Sequence, residues 1–259
     1  MQSAIVVKDL LKTFNLPIDS SHRFFRKRKF RNTTAINGID FRVKKGELVG
    51  LIGKNGAGKT TTLKCLTGLL VPDSGEVEVL GYIPSERKYE FLQKISMVMG
   101  NRSQLWWELP ARETFLLNKE IYEIGDSKYG EILNEMVGRL DVNDLLDVPV
   151  RKLSLGERMK CELIASLLHG PELLFLDEPT LGLDIISQKN LRGFLADYHK
   201  EYNSTIILTS HNMEDIKDLC ERLIIIDKGN ILYDGELVGF LAEYPEVSLE
   251  EAVRELFLS

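Results

Sequence analysis

Between an apolar run, Leu48–Ile52, and a helix-forming stretch, Thr60–Leu69, stands the octapeptide GKNGAGKT, Gly53 to Thr60. It fits the pattern GxxxxGK[ST], and the strand before it and helix after it are the context in which that pattern carries meaning. Gly53, Gly56 and Gly58 let the backbone bend closely around anionic oxygens. The N–H groups of Asn55 and Ala57 in the turn, and those at the helix start, then face the anion. Lys59 can reach terminal phosphates, the Thr60 hydroxyl can ligate Mg²⁺, and Thr61 is a further phosphate contact. Short buried runs of this kind, separated by helices, argue for a layered α/β core.

The remaining pattern agrees. Strand-like runs stand at 3–14, 36–43, 47–52, 75–80, 95–99, 173–176, 205–209 and 223–227, with helices at 59–69, about 186–201 and 213–220 and a mostly helical block from about 106 to 170. Ser248 and Glu251 form a capping-box pattern ahead of a last helix. The chain has 259 residues, 44% hydrophobic and 28% charged, which excludes a mainly disordered or collagen-like protein. Its longest apolar runs, such as Leu48–Gly53 and Leu237–Ala242, fall far short of the roughly 20 residues that cross a bilayer. The opening MQSAIVVKDLLKTF has no basic start and no long apolar stretch, so no signal peptide is expected. Cys65, Cys161 and Cys220 are odd in number and widely spaced, which points to a reducing compartment and away from a zinc site.

Charge is unevenly spread. The net charge is −6, yet Arg23–Arg31, RFFRKRKFR, carries six positive charges and no acid. A generally acidic chain is a poor non-specific nucleic-acid binder. Residues 15–34 read as an inserted loop whose aromatic and basic side chains either lie against anionic lipid headgroups or are simply solvated.

A second signal, LLFLDEP, lies at Leu173 to Pro179. Four apolar residues form a buried strand that ends in two carboxylates. Asp177 is placed to hold a water on Mg²⁺, and Glu178 to orient or deprotonate an attacking water, as phosphoryl transfer to water requires.

With these elements in place the chain resembles the ATP-binding subunits of ABC transporters. LSLGER, Leu153 to Arg158, resembles that family's signature, usually LSGGQ; LGLD, Leu181 to Asp184, resembles its D-loop; TSH, Thr209 to His211, resembles its switch histidine. The motifs follow the family's order and span about residues 3–235. SQLWWELP, Ser103 to Pro110, further resembles a bacterial branch whose partners are ABC-2-type membrane subunits. The resemblance implies one ATP-binding domain over 1–259: a P-loop NTPase core with a parallel sheet, an N-terminal antiparallel β part, a helical subdomain inserted at about 101–170, and a short extension at 235–259.

It also implies the function. ATP with Mg²⁺ is then expected to be bound between two copies of the chain and hydrolysed to power a separate polytopic membrane permease, an exporter rather than an importer, with the chain peripheral on the cytoplasmic face of the membrane. Ser154, Gly156 and Glu157 start a helix, and a hydroxyl with free N–H groups there makes a second phosphate clamp; by resemblance it serves the partner copy's nucleotide. Asp184 holds the dimer, Glu178 is the general base, His211 organises the γ-phosphate and water, and Phe14 stacks on adenine. Rival readings are a non-transport ABC ATPase acting on ribosomes or nucleic acid, and an ATP-gated interaction module.

Three departures from the family pattern matter. Leu155 stands for a glycine and Glu157 for a glutamine. The glutamine that follows the strand at Ser96–Met99 and binds Mg²⁺ is replaced by Asn101, one methylene shorter, with Gln104 the alternative. Trp106 and Trp107 either face the permease or pack in the helical core.

Overall fold

Two sheets share the molecule, and the alternation of apolar side chains explains how. The structure, a computed structural model, describes residues 2–17 and 30–258. Strands β1 (Ser3–Pro17) and β2 (Phe30–Lys44) pair antiparallel. After β3 (Leu48–Gly53) and helix α1 (Lys59–Leu66), β4 (Ser74–Val79) joins the other edge of β1, giving the order β2-β1-β4. A bulge at Asp9, with φ 49°, moves the buried positions of β1 from Ile5 and Val7 to Leu10.

The chain continues through α2 (Tyr89–Leu92) and β5 (Ile95–Met99). Helices α3 (Ala111–Ile121), α4 (Asp126–Leu140) and α5 (Leu155–Leu167) follow before β6 (Leu173–Asp177). Next come α6 (Ile185–Tyr202), β7 (Thr205–Thr209), α7 (Met213–Leu219), β8 (Arg222–Asp227), β9 (Asn230–Glu236), α8 (Leu237–Glu243) and α9 (Leu249–Leu256). The larger sheet has the order β5-β6-β7-β3-β8-β9, parallel except for the β8–β9 hairpin.

Successive side chains of a strand point to opposite faces, so a sheet covered on both faces needs nearly continuous apolar strands. Leu48, Leu174, Leu176, Ile206, Leu208, Leu223 and Ile225 pack into one core with the helices. Val49, Leu51, Leu173, Phe175, Ile207, Ile224 and Ile226 pack into a second core with α1 and the small sheet. Each such side chain, fully withdrawn from water, contributes about 1.5–3 kcal/mol. The fold is thus the α/β P-loop NTPase type, with an antiparallel sheet near the start and helices inserted between β5 and β6. Among the described residues no helix is long and apolar enough to cross a membrane.

Two expectations are corrected. The described ends of the 15–34 insert are not loop: the ladder runs on through Asn15↔Asn32, Leu16↔Arg31 and Pro17↔Phe30, because an antiparallel pair extends wherever both backbones remain free to bond. The rest of the basic run, through residue 29, lies outside the described residues. A strand was also missed. Lys228 and Gly229 are both left-handed, with φ 46° and 80°, and turn β8 back into β9 as a tight hairpin. The expected box at Ser248 is present: its N–H donates to Glu251 at 2.9 Å, and Glu251 N–H donates back to Ser248 Oγ at 3.2 Å.

Candidate active site

The ends of β3, β6 and β7 lie side by side, so the side chains that leave them converge. Gly53, at the end of β3, has no room for a side chain: a Cβ there would sit 2.2 Å from Ile226 O of β8. Gly58 has φ 116° and would place a Cβ 2.5 Å from Ala35 O. The loop between them is therefore pressed against β8 and β2 and wraps a cleft of about 150 Å³. Asn55, Gly56, Lys59, Thr60, Thr61 and, just after β6, Glu178 line it.

Lys59 is buried. Its ammonium donates to Gly53 O at 2.7 Å and to Lys54 O at 3.4 Å. Burial pushes its pKa down, while the nearby Glu178 and Asp177 pull it back up. Thr60 Oγ1 lies 2.9 and 3.2 Å from the two oxygens of Asp177. Asp177 is also held by Thr209 Oγ1 at 2.7 Å, the residue opposite it in the β6–β7 register. A hydroxyl and one carboxylate are hard oxygen donors of the kind that bind Mg²⁺ together with phosphate oxygens and water. Among the described residues no three His, Cys, Asp or Glu gather as an all-protein metal cage.

Glu178 adopts φ 56°, a left-handed backbone rare for a side chain of its size. Its N–H donates to Thr209 O at 3.0 Å, which bridges β6 to β7. Its carboxylate meets His211 Nε2 at 2.9 Å, and the same nitrogen lies 3.4 Å from Lys59 Nζ. Lysine, hydroxyl and one carboxylate thus line the cleft, and a second carboxylate and an imidazole touch them from behind.

The second cluster lies at the starts of α5 and α6. Ser154 caps α5: its Oγ accepts from Glu157 N–H at 3.3 Å, and its own N–H donates to Glu157 at 2.8 Å. These bonds hold the Glu157 carboxyl below its ordinary pKa. Asp184 caps α6, accepting from Ile186 and Ser187 N–H at 3.0 Å and from Ser187 Oγ at 2.6 Å. Gly156 packs so closely on Ser187 that a Cβ would lie 2.7 Å from its Oγ. Leu155 fills the space over Gly182, where a Cβ would meet its Cδ2 at 3.0 Å. An open groove of about 990 Å³ passes this region between α4, α5 and α6; neither Lys59 nor Glu178 lines it.

Asn101 and Gln104 separate in space. Asn101 follows Gly100, whose N–H donates to Asp177 O at 2.8 Å and whose Cα is pressed against Glu178 O. Gln104 instead donates its side-chain amide to Glu162 O on α5 at 3.1 Å. The buried Glu162 carboxylate accepts from Ser103 Oγ and from Gln104 N–H at 3.1 Å. Burial raises the Glu162 pKa, and these donors oppose the rise. Trp106 and Trp107, next along, are about half exposed, at 54% and 53%, so they do not pack in the helical core. Phe14 is half-buried opposite Thr33, two residues before Ala35, the residue that touches Gly58.

Sequence reading missed a polar cluster beside the site. Asp215 is fully buried and accepts from Thr180 Oγ1, Ser210 Oγ and Arg192, tying the segment after Glu178 to the one before His211. Only the serine beside the histidine hinted at it. The role of Thr209 was legible in principle, as a hydroxyl at the end of the strand beside Asp177.

The family model described as "ABC transporter" matches residues 36–181. The relative named ABC transporter ATP-binding protein NatA, of Bacillus subtilis (strain 168), is 32% identical over 219 residues, covering 85% of this chain and 88% of that protein. The Nod factor export ATP-binding protein I of Rhizobium sp. (strain N33) is 33% identical over 222 residues, covering 84% and 71%. A solved ATP-binding subunit of an ABC transporter superposes with a TM-score of 0.81 at 25% identity, covering 98% of this chain and 99% of that one. Matches at this length and identity, on a chain whose loop, strand-end carboxylates and helix-start serine already stood in the family's order, make it a member of the ABC transporter family and an ATP-hydrolysing cassette of that family.

Proposed function

We propose that the cleft at Gly53–Thr61 binds Mg·ATP and that the chain works as a pair, each copy lending the Ser154 region to the other's nucleotide. The convergence of Lys59, the Thr60–Asp177 pair and the Glu178–His211 pair on one cleft carries this reading. Lys59 holds the terminal phosphates, with Asn55, Gly56, Ala57, Gly58 and Thr61 supplying backbone and side-chain donors around them. Thr60 and Asp177 hold Mg²⁺, with Asn101 the adjacent loop ligand; when bound, the ion neutralises charge on the phosphate oxygens. Glu178 takes the proton of the attacking water, and His211 orients Glu178. Phe14 stacks on the base.

A separate polytopic permease is the partner, docked where Trp106 and Trp107 stand exposed; exposed tryptophans are strong interface anchors. The export named for the Rhizobium relative makes an exporter the direction we infer. The chain then sits on the cytoplasmic face of the membrane, and the basic segment near residues 23–31 meets anionic headgroups there.

Glu178→Gln tests the reading. It keeps the size of the side chain and removes the base. We expect ATP binding to persist, an ATP-dependent dimer to accumulate in sedimentation, and turnover to fall about 10²–10⁴-fold. Turnover unchanged by this substitution would remove Glu178 from the mechanism.

A further inference from the structure

Lys54 carries the one long side chain of the loop that has no part in the scheme above. Its carbonyl closes the turn, accepting Ala57 N–H at 3.0 Å, and the same oxygen takes the 3.4 Å contact from Lys59 Nζ. Its own ammonium lies 4.5 Å from the centroid of the Phe257 ring. A cation that close to an aromatic face is attracted by the ring's quadrupole.

The ring is firmly held. Phe257 directly follows α9 and packs, partly buried, on the larger core. The box at Ser248 closes the first turn of α9, and Leu249, Ala252 and Val253 are buried. The helix lies against α7, which begins two residues after His211. An element anchored beside the histidine therefore also grips the first residue after Gly53.

We propose that Phe257 is a positioning residue for the triphosphate. It fixes the Lys54 side chain, and through the Lys54 carbonyl it sets the turn that aims the loop and Lys59 into the cleft. The inference rests on the reading of that cleft as the ATP site. A long lysine held in advance loses less conformational freedom when an anion arrives. The partner of Phe257 is a loop residue rather than Glu178 or His211, so the contact governs binding and leaves the chemical step alone.

The test uses the whole chain and two readouts: equilibrium binding of a fluorescent ATP analogue without Mg²⁺, and steady-state hydrolysis with it. Phe257→Leu keeps apolar bulk against the core and removes the ring. We expect its Kd and KM to rise about three- to tenfold with kcat within about twofold of the unsubstituted chain. Phe257→Tyr should restore binding. Lys54→Met should reproduce the loss, and the double variant should bind no more weakly than the worse single one. Binding by Phe257→Leu within about twofold of normal, failure of the tyrosine to rescue, or losses that multiply in the double variant would each overturn the proposal. If the unsubstituted chain bound no nucleotide, the cleft assignment would fall first and this inference with it.

Discussion

Helices α1 and α5 both begin beside glycines, and they spend their first-turn polar groups in opposite ways. Gly58, the N-cap of α1, offers no side-chain acceptor, and no acid stands in its first turn. The helix start keeps its N–H groups and its partial positive charge for an external anion. Ser154, the N-cap of α5, is locked in a reciprocal box with Glu157, so part of that capacity is already used by the chain's own carboxylate. Asp184 does the same for α6. On the proposed reading, one end of the molecule is an anion site in isolation. At the other, the Ser154 hydroxyl retains only its proton to offer, and Glu157 opposes a phosphate. Closing a phosphate between two copies must work against that charge.

The sharpest test of this contrast is Lys59→Met. Removing a buried, charge-paired ammonium costs about 2–5 kcal/mol of binding, so nucleotide Kd should rise at least about 30-fold by titration calorimetry. The melting temperature should not fall, since burial of the ammonium is itself unfavourable. A Kd that barely moves would mean the α1 end is not the primary anion site.

Acid should separate the two ends next. His169, just beyond α5, stacks on Tyr122, just beyond α3, with centroids 3.9 Å apart, and its Nε2 lies 3.2 Å from Ile95 O of β5. Burial pushes its pKa down to about 4. Between the ordinary value near 6.5 and that depressed value, the unfolded chain takes up a proton that the folded chain refuses. The stability is present above pH 6.5 and is lost as pH falls towards 4, by about 2 kcal/mol between pH 7 and 5. Hydrogen exchange at pH 5 should open α3 and the end of α5 before α1, and His169→Gln should flatten the loss in denaturant titrations. Equal loosening of α1 would erase the distinction.

The smallest expected effect is at Glu157→Gln. Glutamine still closes the box, so stability should fall only slightly, by the lost attraction of the carboxylate to the helix start. Loss of one negative charge beside the serine should strengthen the ATP-driven dimer of the Glu178→Gln background about two- to fivefold, as expected for about 0.3–1 kcal/mol at a helix start. A weaker dimer would show that the carboxylate contributes an attractive contact there.

What could be read from the chain follows from how local each feature is. The Gly53–Thr60 loop and the Leu173–Glu178 strand announce themselves because the chemistry and the backbone demand both fall within eight residues. Ser154 was equally visible, but a helix cap and a phosphate donor ask for the same hydroxyl; its pairing with Glu157 follows the same serine-to-glutamate spacing as Ser248 and Glu251 and was legible in principle. The β9 strand was lost because its turn places Lys228, not a second glycine, in a left-handed backbone. Glu162 looked like any charge on a helix. Its burial is dictated by Ser103–Leu105, a stretch almost sixty residues earlier. Gln104 was a candidate metal ligand through the resemblance to the family's loop glutamine, which could not show that its amide is taken by α5.

One carboxylate on α5 grips the three residues just before the tryptophan pair, which ties that pair to the helix headed by Ser154. Any object that seizes Trp106 and Trp107 from outside takes hold, in effect, of a handle. Its displacement would be delivered along the helix to Ser154 as a single mechanical stroke, with no signal passed from residue to residue.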